Sequence, residues 1–593
     1  MSADARPASP TRRVAGAVVF VVAAAVTIAI PLVQPMPAYS LNLLMQASTY
    51  AIAVFGLTIV LGYTGQINLA QAAFFGLGAY SVALGTTTLA LPFWVALALG
   101  IVLAAVAGAA LGLTTLRLGG HYLAMVTISF QTILSLVLTN WIAVTRGPDG
   151  ISGIKRPAVF GYSFDGSGAY LALCIASLWL VGFLVWRLGR SRLGRRMQAV
   201  RDNELAAGVV GVDTYRTKVA AFTLSAVLGG FGGGLFAGGF RYISPDQFSF
   251  AESVVFLTMA LLGGVRSPFG TALGTALLIL LPEWLRFLKV VYLAVYGAAV
   301  ILIMVFMPEG VWGFVAALVR RVRGPSMETA VPVPVLPLTK ETAQGDGTVL
   351  LSVRGISKHF GGLKAVDAVD LEVRRNGVHA LIGPNGSGKS TLLNVLSGLY
   401  VSSGGEIALA GATIGALPPH ERAARGLGRT FQNIRLFTAM SVLDNVVVGA
   451  ERPGNLIDGG HGAHALALAA LGFVGLADRA HRAVGSLSYG HQRRVEIARA
   501  LAGNPTLLLL DEPGAGLNHA EKEELVTLLT RLKGHGLTIL IIDHDMNLVE
   551  KVADHITVLN FGRRIADGAP GEVLRHPDVI AAYLGQVNAR AAA

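Results

Sequence analysis

The stretch Gly383-Pro384-Asn385-Gly386-Ser387-Gly388-Lys389-Ser390 fills every fixed position of the phosphate-loop pattern G-x-x-x-x-G-K-[ST]. An apolar run, 378–382, precedes it and a helix-like run, 391–399, follows. Glycines let successive backbone N–H groups turn inward around phosphate oxygens, and the start of the following helix adds its positive dipole end. The loop, with Thr391 just behind it, is therefore expected to hold a nucleotide. Lys389 is expected to neutralise the β- and γ-phosphates, and the Ser390 hydroxyl to ligate Mg2+. A glycine-rich turn alone is only a turn; the full pattern between strand and helix decides the reading.

Downstream, Leu507-Leu508-Leu509-Leu510-Asp511-Glu512 ends another apolar run in two carboxylates. Paired acids at a strand end can be a solvated turn. About 120 residues after the phosphate-loop lysine, Asp511 is instead expected to hold Mg2+ and Glu512 to act as general base toward the attacking water. His544 follows a third run, 538–542. A lone histidine is more often a structural hydrogen-bonder, and only its place beside the other motifs assigns His544 to the γ-phosphate. The runs 378–382, 506–510 and 538–542, bounded by Gly, Pro or Asp, read as buried strands of a mainly parallel sheet.

These parts specify a P-loop nucleotidase without saying which. The discriminating stretch is Leu487-Ser488-Tyr489-Gly490-His491-Gln492, followed by a basic helix carrying Arg493, Arg494 and Arg499. Here the sequence resembles the ATP-binding cassette family, whose signature reads LSGGQ, with Tyr489 and His491 substituted in; the resemblance covers about 350–585. It implies an α/β cassette using ATP and Mg2+. It also implies that Gln432, in Arg429-Thr430-Phe431-Gln432, touches the metal, and that Phe360 stacks on adenine, although Phe360 alone could equally be a core aromatic. By the same logic, Ser488 and Gly490 present N–H groups to ATP held by a second cassette. Asn518 stands where the family usually has Asp.

Going N-terminally, 325–347 carries Pro325, Pro332, Pro334 and Pro337 among Thr, Glu, Gln and Gly and reads as a linker. Before it the chemistry is different. The 593-residue chain is 53% hydrophobic and only 14% charged, against about 25% charged in soluble domains. No Asp, Glu, Lys or Arg occurs in the 103 residues between Arg13 and Arg117. At about 20 residues per spanning helix, that gap accommodates four spans. Further apolar runs at 122–144, 170–188, 219–240, 253–265, 269–285 and 291–319 bring the expectation to about ten, the 253–265 piece needing its flanks or being re-entrant. The glycine patch Gly229-Gly230-Phe231-Gly232-Gly233-Gly234 suits close helix–helix approach.

Basic clusters at Arg12–Arg13, Arg187–Arg201 and Arg320–Arg323 flank the apolar runs, and the positive-inside rule puts all three in the cytoplasm with six, then four, crossings between them. That placement also explains the formal charge of +12 without nucleic acid, and it outweighs reading Arg12 and Arg13 as the charged region of a cleaved signal peptide. The single cysteine, Cys174, excludes an internal disulfide. The expected division is a 1–13 cytoplasmic tail, a 14–324 all-α polytopic membrane domain, the 325–347 linker and a 348–593 cassette.

Over about 42–310 the membrane half resembles the permease of branched-chain amino-acid importers. The carrying stretches include Leu61-Gly62-Tyr63-Thr64-Gly65-Gln66-Ile67-Asn68-Leu69-Ala70-Gln71, Arg201-Asp202-Asn203-Glu204-Leu205-Ala206-Ala207 and Ile243-Ser244-Pro245-Asp246. The cassette carries the matching Gly514-Ala515-Gly516-Leu517-Asn518 and the tail from Gly562 to Gly568. The resemblance implies an ATP-driven importer subunit for apolar amino acids in the inner membrane, with the ATPase in the cytoplasm. Its implied partners are a second permease, a second ATPase, an extracytoplasmic binding protein and membrane lipid. Urea or short amides are the alternative cargo. An exporter half-transporter, with six spans and long cytoplasmic helices, is the alternative class, disfavoured by a count near ten. Residues 195–218 suit a cytoplasmic coupling segment seated near Gln432, or else a plain surface helix, and Gln66, Asn68 and Gln71 either break a helix at depth and line a path or bond helices together.

Overall fold

The computed structural model describes residues 10–115, 120–159, 161–285, 292–307, 309–323, 347–452 and 461–583, so the expected linker at 325–347 lies outside them except for Gly347. The described chain forms two compact units, and the segment Asp202–Thr214 belongs with the C-terminal one.

The N-terminal unit is helical. Five of its described helices are long and apolar enough to cross a bilayer: Ala38–Tyr63, Phe93–Thr115, Tyr122–Asn140, Ser167–Arg190 and Thr214–Phe240. Two bent pairs, Phe250–Gly263 with Pro268–Trp284 at 119° and Val300–Phe306 with Gly310–Val319 at 51°, raise the count to seven if each is one span. The expectation of about ten spans, and the six-then-four arithmetic with it, is therefore corrected to five to seven among the described residues. Apolar composition cannot see a reversal. The runs at 253–265 and 269–285 are two arms of one bent pair, folded at Gly264, whose φ of +106° suits glycine. Similarly, the helix Gln71–Thr87 has only 17 residues, about 25 Å at 1.5 Å per residue, short of the roughly 30 Å hydrocarbon core.

That short helix follows a break at the segment singled out in the sequence. Ala38–Leu57 passes into a π-helical turn, Thr58–Tyr63, and regular structure resumes only at Gln71. Gln71, Asn68 and Gln66 are buried there, and Gln71 bonds other helices. Gln71 Nε2 donates to Ala53 O at 2.7 Å and Ser225 O at 3.2 Å, while Gln71 Oε1 accepts from Asn68 Nδ2 and Ser225 Oγ, both at 3.0 Å. Of the two roles open, Gln71 takes interhelical bonding, whereas Asn68 bonds only its chain neighbours, Gln71 and the Ala70 N–H.

The glycine patch packs as expected. A Cβ on Gly233 would lie 1.8 Å from Phe75 O, and one on Gly78 1.9 Å from Gly230 O, so backbones touch where side chains would stand. Gly233→Val is expected to separate Thr214–Phe240 from Gln71–Thr87 and cost at least about 1–3 kcal/mol. A fall in the monodisperse fraction surviving mild heating in detergent would show it, and an unchanged profile would contradict the packing.

Among the described residues, the C-terminal unit holds two sheets. One is a four-stranded antiparallel sheet of Leu363–Arg374, Val349–Phe360, Gly404–Leu409 and Ala412–Thr413. The other has six strands in the order Leu427–Arg429, Leu507–Asp511, Thr538–Ile542, Val378–Ile382, His555–Asn560 and Arg563–Gly568, parallel except for the last. Every residue of Val378–Ile382, Leu507–Asp511 and Thr538–Ile542 is buried, which is why these strands read as unbroken apolar runs. Parallel pairing brings the carboxyl ends of all three to one edge, where loops carry the functional side chains.

Candidate nucleotide site

The helix Lys389–Leu396 begins directly after the glycine loop. Gly386 and Gly388 take φ of +80° and +100°, and a Cβ on Gly388 would stand 2.4 Å from Ala365 O, so only glycine fits there. Lys389 is 8% exposed and curls back over the loop, its Nζ donating to Gly383 O and Pro384 O at 2.8 Å each and lying 3.3 Å from Ser387 Oγ. Burial draws the pKa of this ammonium down, while the carboxylates of Glu512 and Asp511 push it up. Asn385, Gly386 and Ser390 are exposed at the mouth.

Asp511 ends its strand 4% exposed. Its Oδ2 lies 3.5 Å from Arg429 Nη2, and its buried Oδ1 has no hydrogen-bond partner. Burial raises the carboxyl pKa, and Arg429 opposes that. A buried, unpartnered carboxylate oxygen beside a phosphate loop suits a hard divalent cation, so the donor set passes the test of fit to Mg2+ and phosphate. Arg429 went unnoticed in the sequence as more than a neighbour of Gln432. It reaches Asn394 Oδ1 at 2.7 Å and also bonds Ser397, tying Asp511 to the helix behind the loop. A basic residue inside a buried strand was the available signal.

Glu512 has φ +45°, a left-handed conformation costing a non-glycine residue about 1–3 kcal/mol. Its N–H donates to Ile542 O at 2.7 Å, which holds it there. So aimed, Glu512 Oε2 accepts from Gln432 Nε2 at 3.0 Å and lies 3.6 Å from His544 Nδ1. The fold thus gathers Gln432, Glu512 and His544 from three separate segments. Beneath them, buried Asp543 accepts from Gly514 N at 3.1 Å and Asp545 N at 2.9 Å, bracing the chain after Glu512 against the chain bearing His544. Burial raises the Asp543 pKa.

Phe360 is 44% exposed, so the core alternative is excluded for it. Its ring packs edge-on to Tyr400 at 5.4 Å, with Lys358 Nζ 5.0 Å above it.

Ser488 and Gly490 sit elsewhere, at the start of the helix Tyr489–Ala502. Among the described residues, the Ser488 side chain bonds His491 in its own helix and not the phosphate loop. Ser488 Oγ lies 2.8 Å from His491 Nδ1, and Arg479 Nη1 lies 2.7 Å from that same nitrogen. A Cβ on Gly490 would meet Glu521 Oε1 at 2.3 Å and displace that side chain, and the Tyr489 ring packs on Gly516. Asn518 caps the helix His519–Gly534 through a reciprocal bond pair with Glu521, 2.9 and 3.1 Å long. Asn518→Ala is expected to cost about 1 kcal/mol, readable as a small drop in the cassette's thermal midpoint; no change would remove the cap's role.

One feature had no sequence signal beyond helical spacing. Arg493, Glu496 and Arg499 form a triad at most 1% exposed. Arg493 donates to Phe431 O at 2.5 Å and Gln432 O at 2.6 Å, Arg499 donates to Arg435 O at 2.7 Å, and Glu496 accepts from Arg435 N at 3.3 Å. The signature helix thereby grips the backbone of the segment that aims Gln432 at Glu512.

Comparison with known proteins extends this picture to both halves. The family profile of the branched-chain amino acid transport system / permease component matches residues 39–307. That of the ABC transporter matches 366–515, and that of the branched-chain amino acid ATP-binding cassette transporter matches 563–587. The high-affinity branched-chain amino acid transport ATP-binding protein BraF of Pseudomonas aeruginosa is 44% identical over 40% of this chain and 98% of its own length. LivG of Escherichia coli, an ATP-binding protein of the same description, is 43% identical over the same shares. The permease protein LivM of Salmonella typhimurium is 35% identical over 46% of this chain and 69% of its own.

Proposed function

Because the chain belongs to the branched-chain amino acid ABC transporters, with a permease component and an ATP-binding cassette in one polypeptide, we propose that it imports branched-chain amino acids across the cytoplasmic membrane at the expense of ATP. The observation that carries this reading is the permease match over 39–307 joined to a cassette whose Gln432, Glu512 and His544 converge. The corrected span count no longer separates importer from exporter, so the permease match does that work.

Lys389 and the loop amides hold the phosphates, with Thr391 and the Phe360 ring as further nucleotide contacts. Ser390, Asp511 and Gln432 hold Mg2+, which when bound neutralises charge developing on the transferred phosphoryl oxygens. Glu512 takes the proton of the attacking water, and Gln432 and His544 keep its carboxylate aimed. Ser488 and Gly490 face the nucleotide of a second cassette, so each chain supplies half of two sites. The further partners are a second permease and an extracytoplasmic binding protein. We divide the chain into a 1–13 tail, a 14–324 permease, a 325–347 linker and a 348–593 cassette, with the cassette and the arginine clusters at 12–13, 187–201 and 320–323 in the cytoplasm.

Asp202–Thr214 couples the two activities in this reading, and its packing supports that. Asp202 Oδ2 accepts from Ala439 N at 2.8 Å, seven residues beyond Gln432, and Asp213 lies 3.6 Å from His420. Gly211, at φ +96°, leaves a Cβ only 2.9 Å from Arg452 Cβ. Asp202→Ala is expected to reduce leucine taken up per ATP hydrolysed by at least about threefold while ATPase activity persists; an unchanged ratio would refute the docking. The function itself is tested in vesicles reconstituted with the partner subunits and binding protein, offered labelled leucine or urea. ATP-dependent accumulation of leucine supports it, and accumulation of urea alone overturns the cargo assignment.

A further inference from the structure

Three adjacent strands of the main sheet, away from the phosphate loop's mouth, bring together a second cluster of ligating side chains. Parallel pairing of Val378–Ile382 with His555–Asn560 sets His379 directly opposite His555. Antiparallel pairing with Arg563–Gly568 sets Thr557 opposite Asp567. Alternate residues of a strand share a face, so His555 and Thr557 project to the same side. The two imidazole centroids are 4.9 Å apart. His379 Nε2 lies 2.8 Å from Thr557 Oγ1, His555 Nε2 lies 3.1 Å from Asp567 Oδ2, and Thr557 donates to the other Asp567 oxygen. One ligand atom from each of His379, His555 and Asp567 falls within 4.8 Å of the others.

Around a single four-coordinate ion, nitrogen donors at about 2.0–2.1 Å and a carboxylate oxygen at about 2.0–2.2 Å stand about 3.3 Å from one another. The His555–Asp567 pair is already near that separation, and side-chain rotation brings His379 in. The strand register fixes all three α-carbons, so little backbone order has to be added. His379 is 3% exposed, whereas the side chains of His555 and Asp567 are 40% and 35% exposed. The cluster is therefore closed on one side and open to water on the other.

We propose that His379, His555 and Asp567 form a binding site for a borderline divalent transition cation of the zinc class, with water from the open side as fourth ligand. Two imidazoles and one carboxylate match such ions and suit the all-oxygen preference of Mg2+ poorly. Thr557, bonded to both His379 and Asp567, orients them from outside the shell, as such neighbours commonly do. His379 lies on the strand that leads into the phosphate loop, four residues before Gly383. A cation here would tie the phosphate-loop strand to the two strands on that side of it.

The full chain, purified in detergent, stripped with chelator and kept free of nucleotide, would be titrated with zinc chloride in competition with a chromophoric chelator. One tight site per chain is expected. His555→Ala and Asp567→Asn should each weaken it at least tenfold, while Glu512→Gln leaves it unchanged. Cobalt loading should give the intense visible absorption of a tetrahedral site in the parent, lost in both variants. Because both altered side chains are partly exposed, these variants test the site even if replacing buried His379 prevents folding. Absence of tight zinc binding in the parent, or binding by His555→Ala and Asp567→Asn as tight as the parent's, overturns the proposal.

Discussion

Glu512→Gln should lower ATP turnover by about 10²–10⁴-fold, the usual contribution of a positioned general base, while nucleotide is still bound. The amide keeps the shape of the side chain and its contact with Gln432 Nε2 through the remaining oxygen, so the left-handed backbone and the surrounding loops have no cause to move. What it loses is the capacity to take a proton. Lys389, Ser390 and Asp511 are untouched, so the variant should retain ATP with Mg2+ and accumulate as a nucleotide-bound complex. Leucine uptake in reconstituted vesicles should fall in parallel. Steady-state phosphate release beside retention of labelled ATP makes the two-part check. Turnover within threefold of the parent would remove Glu512 from the base role, and lost ATP retention would mean that the carboxylate acts in binding.

The largest effect on stability is expected from Glu496→Ala. Glu496 is fully buried and faces Arg493 Nη1 at 2.9 Å and Arg499 Nη2 at 3.6 Å. Burial raises the pKa of its carboxyl, and the two guanidinium groups oppose that shift. Without the carboxylate, two buried cations lie together uncompensated, a loss of about 3–5 kcal/mol when one partner of a buried pair is removed. Against a typical total of about 5–15 kcal/mol, much of the cassette's margin would go. Glu496→Gln retains an acceptor for Arg493 and should fall between the parent and the alanine variant. Calorimetry of the full chain would read the order. A Glu496→Ala cassette melting within a degree or two of the parent would show that the triad contributes little. ATPase activity should suffer as well, because Arg493 holds the carbonyl of Gln432 itself.

Much of this protein was legible in its residues alone, wherever chemistry lies in a contiguous string. The phosphate loop, the Asp511–Glu512 pair and the signature are such strings, since each is a backbone device whose function needs fixed residue types at fixed spacing. The buried strands were legible because parallel strands covered on both faces contain almost only apolar residues. Span number was not. Hydropathy integrates apolarity along the chain and cannot register the 119° bend at Gly264 or the shortness of Gln71–Thr87.

The remaining decisions belonged to the tertiary fold. Gln432 and Glu512 are 80 residues apart and meet at 3.0 Å only because parallel strands deliver their ends to one edge. Arg493, Glu496 and Arg499 look like an ordinary charged helix face until packing removes water from all three, after which their partners become the backbone beside Gln432. A sequence fixes which groups exist and their local spacing. Long-range register and burial fix which groups meet and how strongly, because electrostatic and hydrogen-bond energies depend on distance and on the exclusion of water.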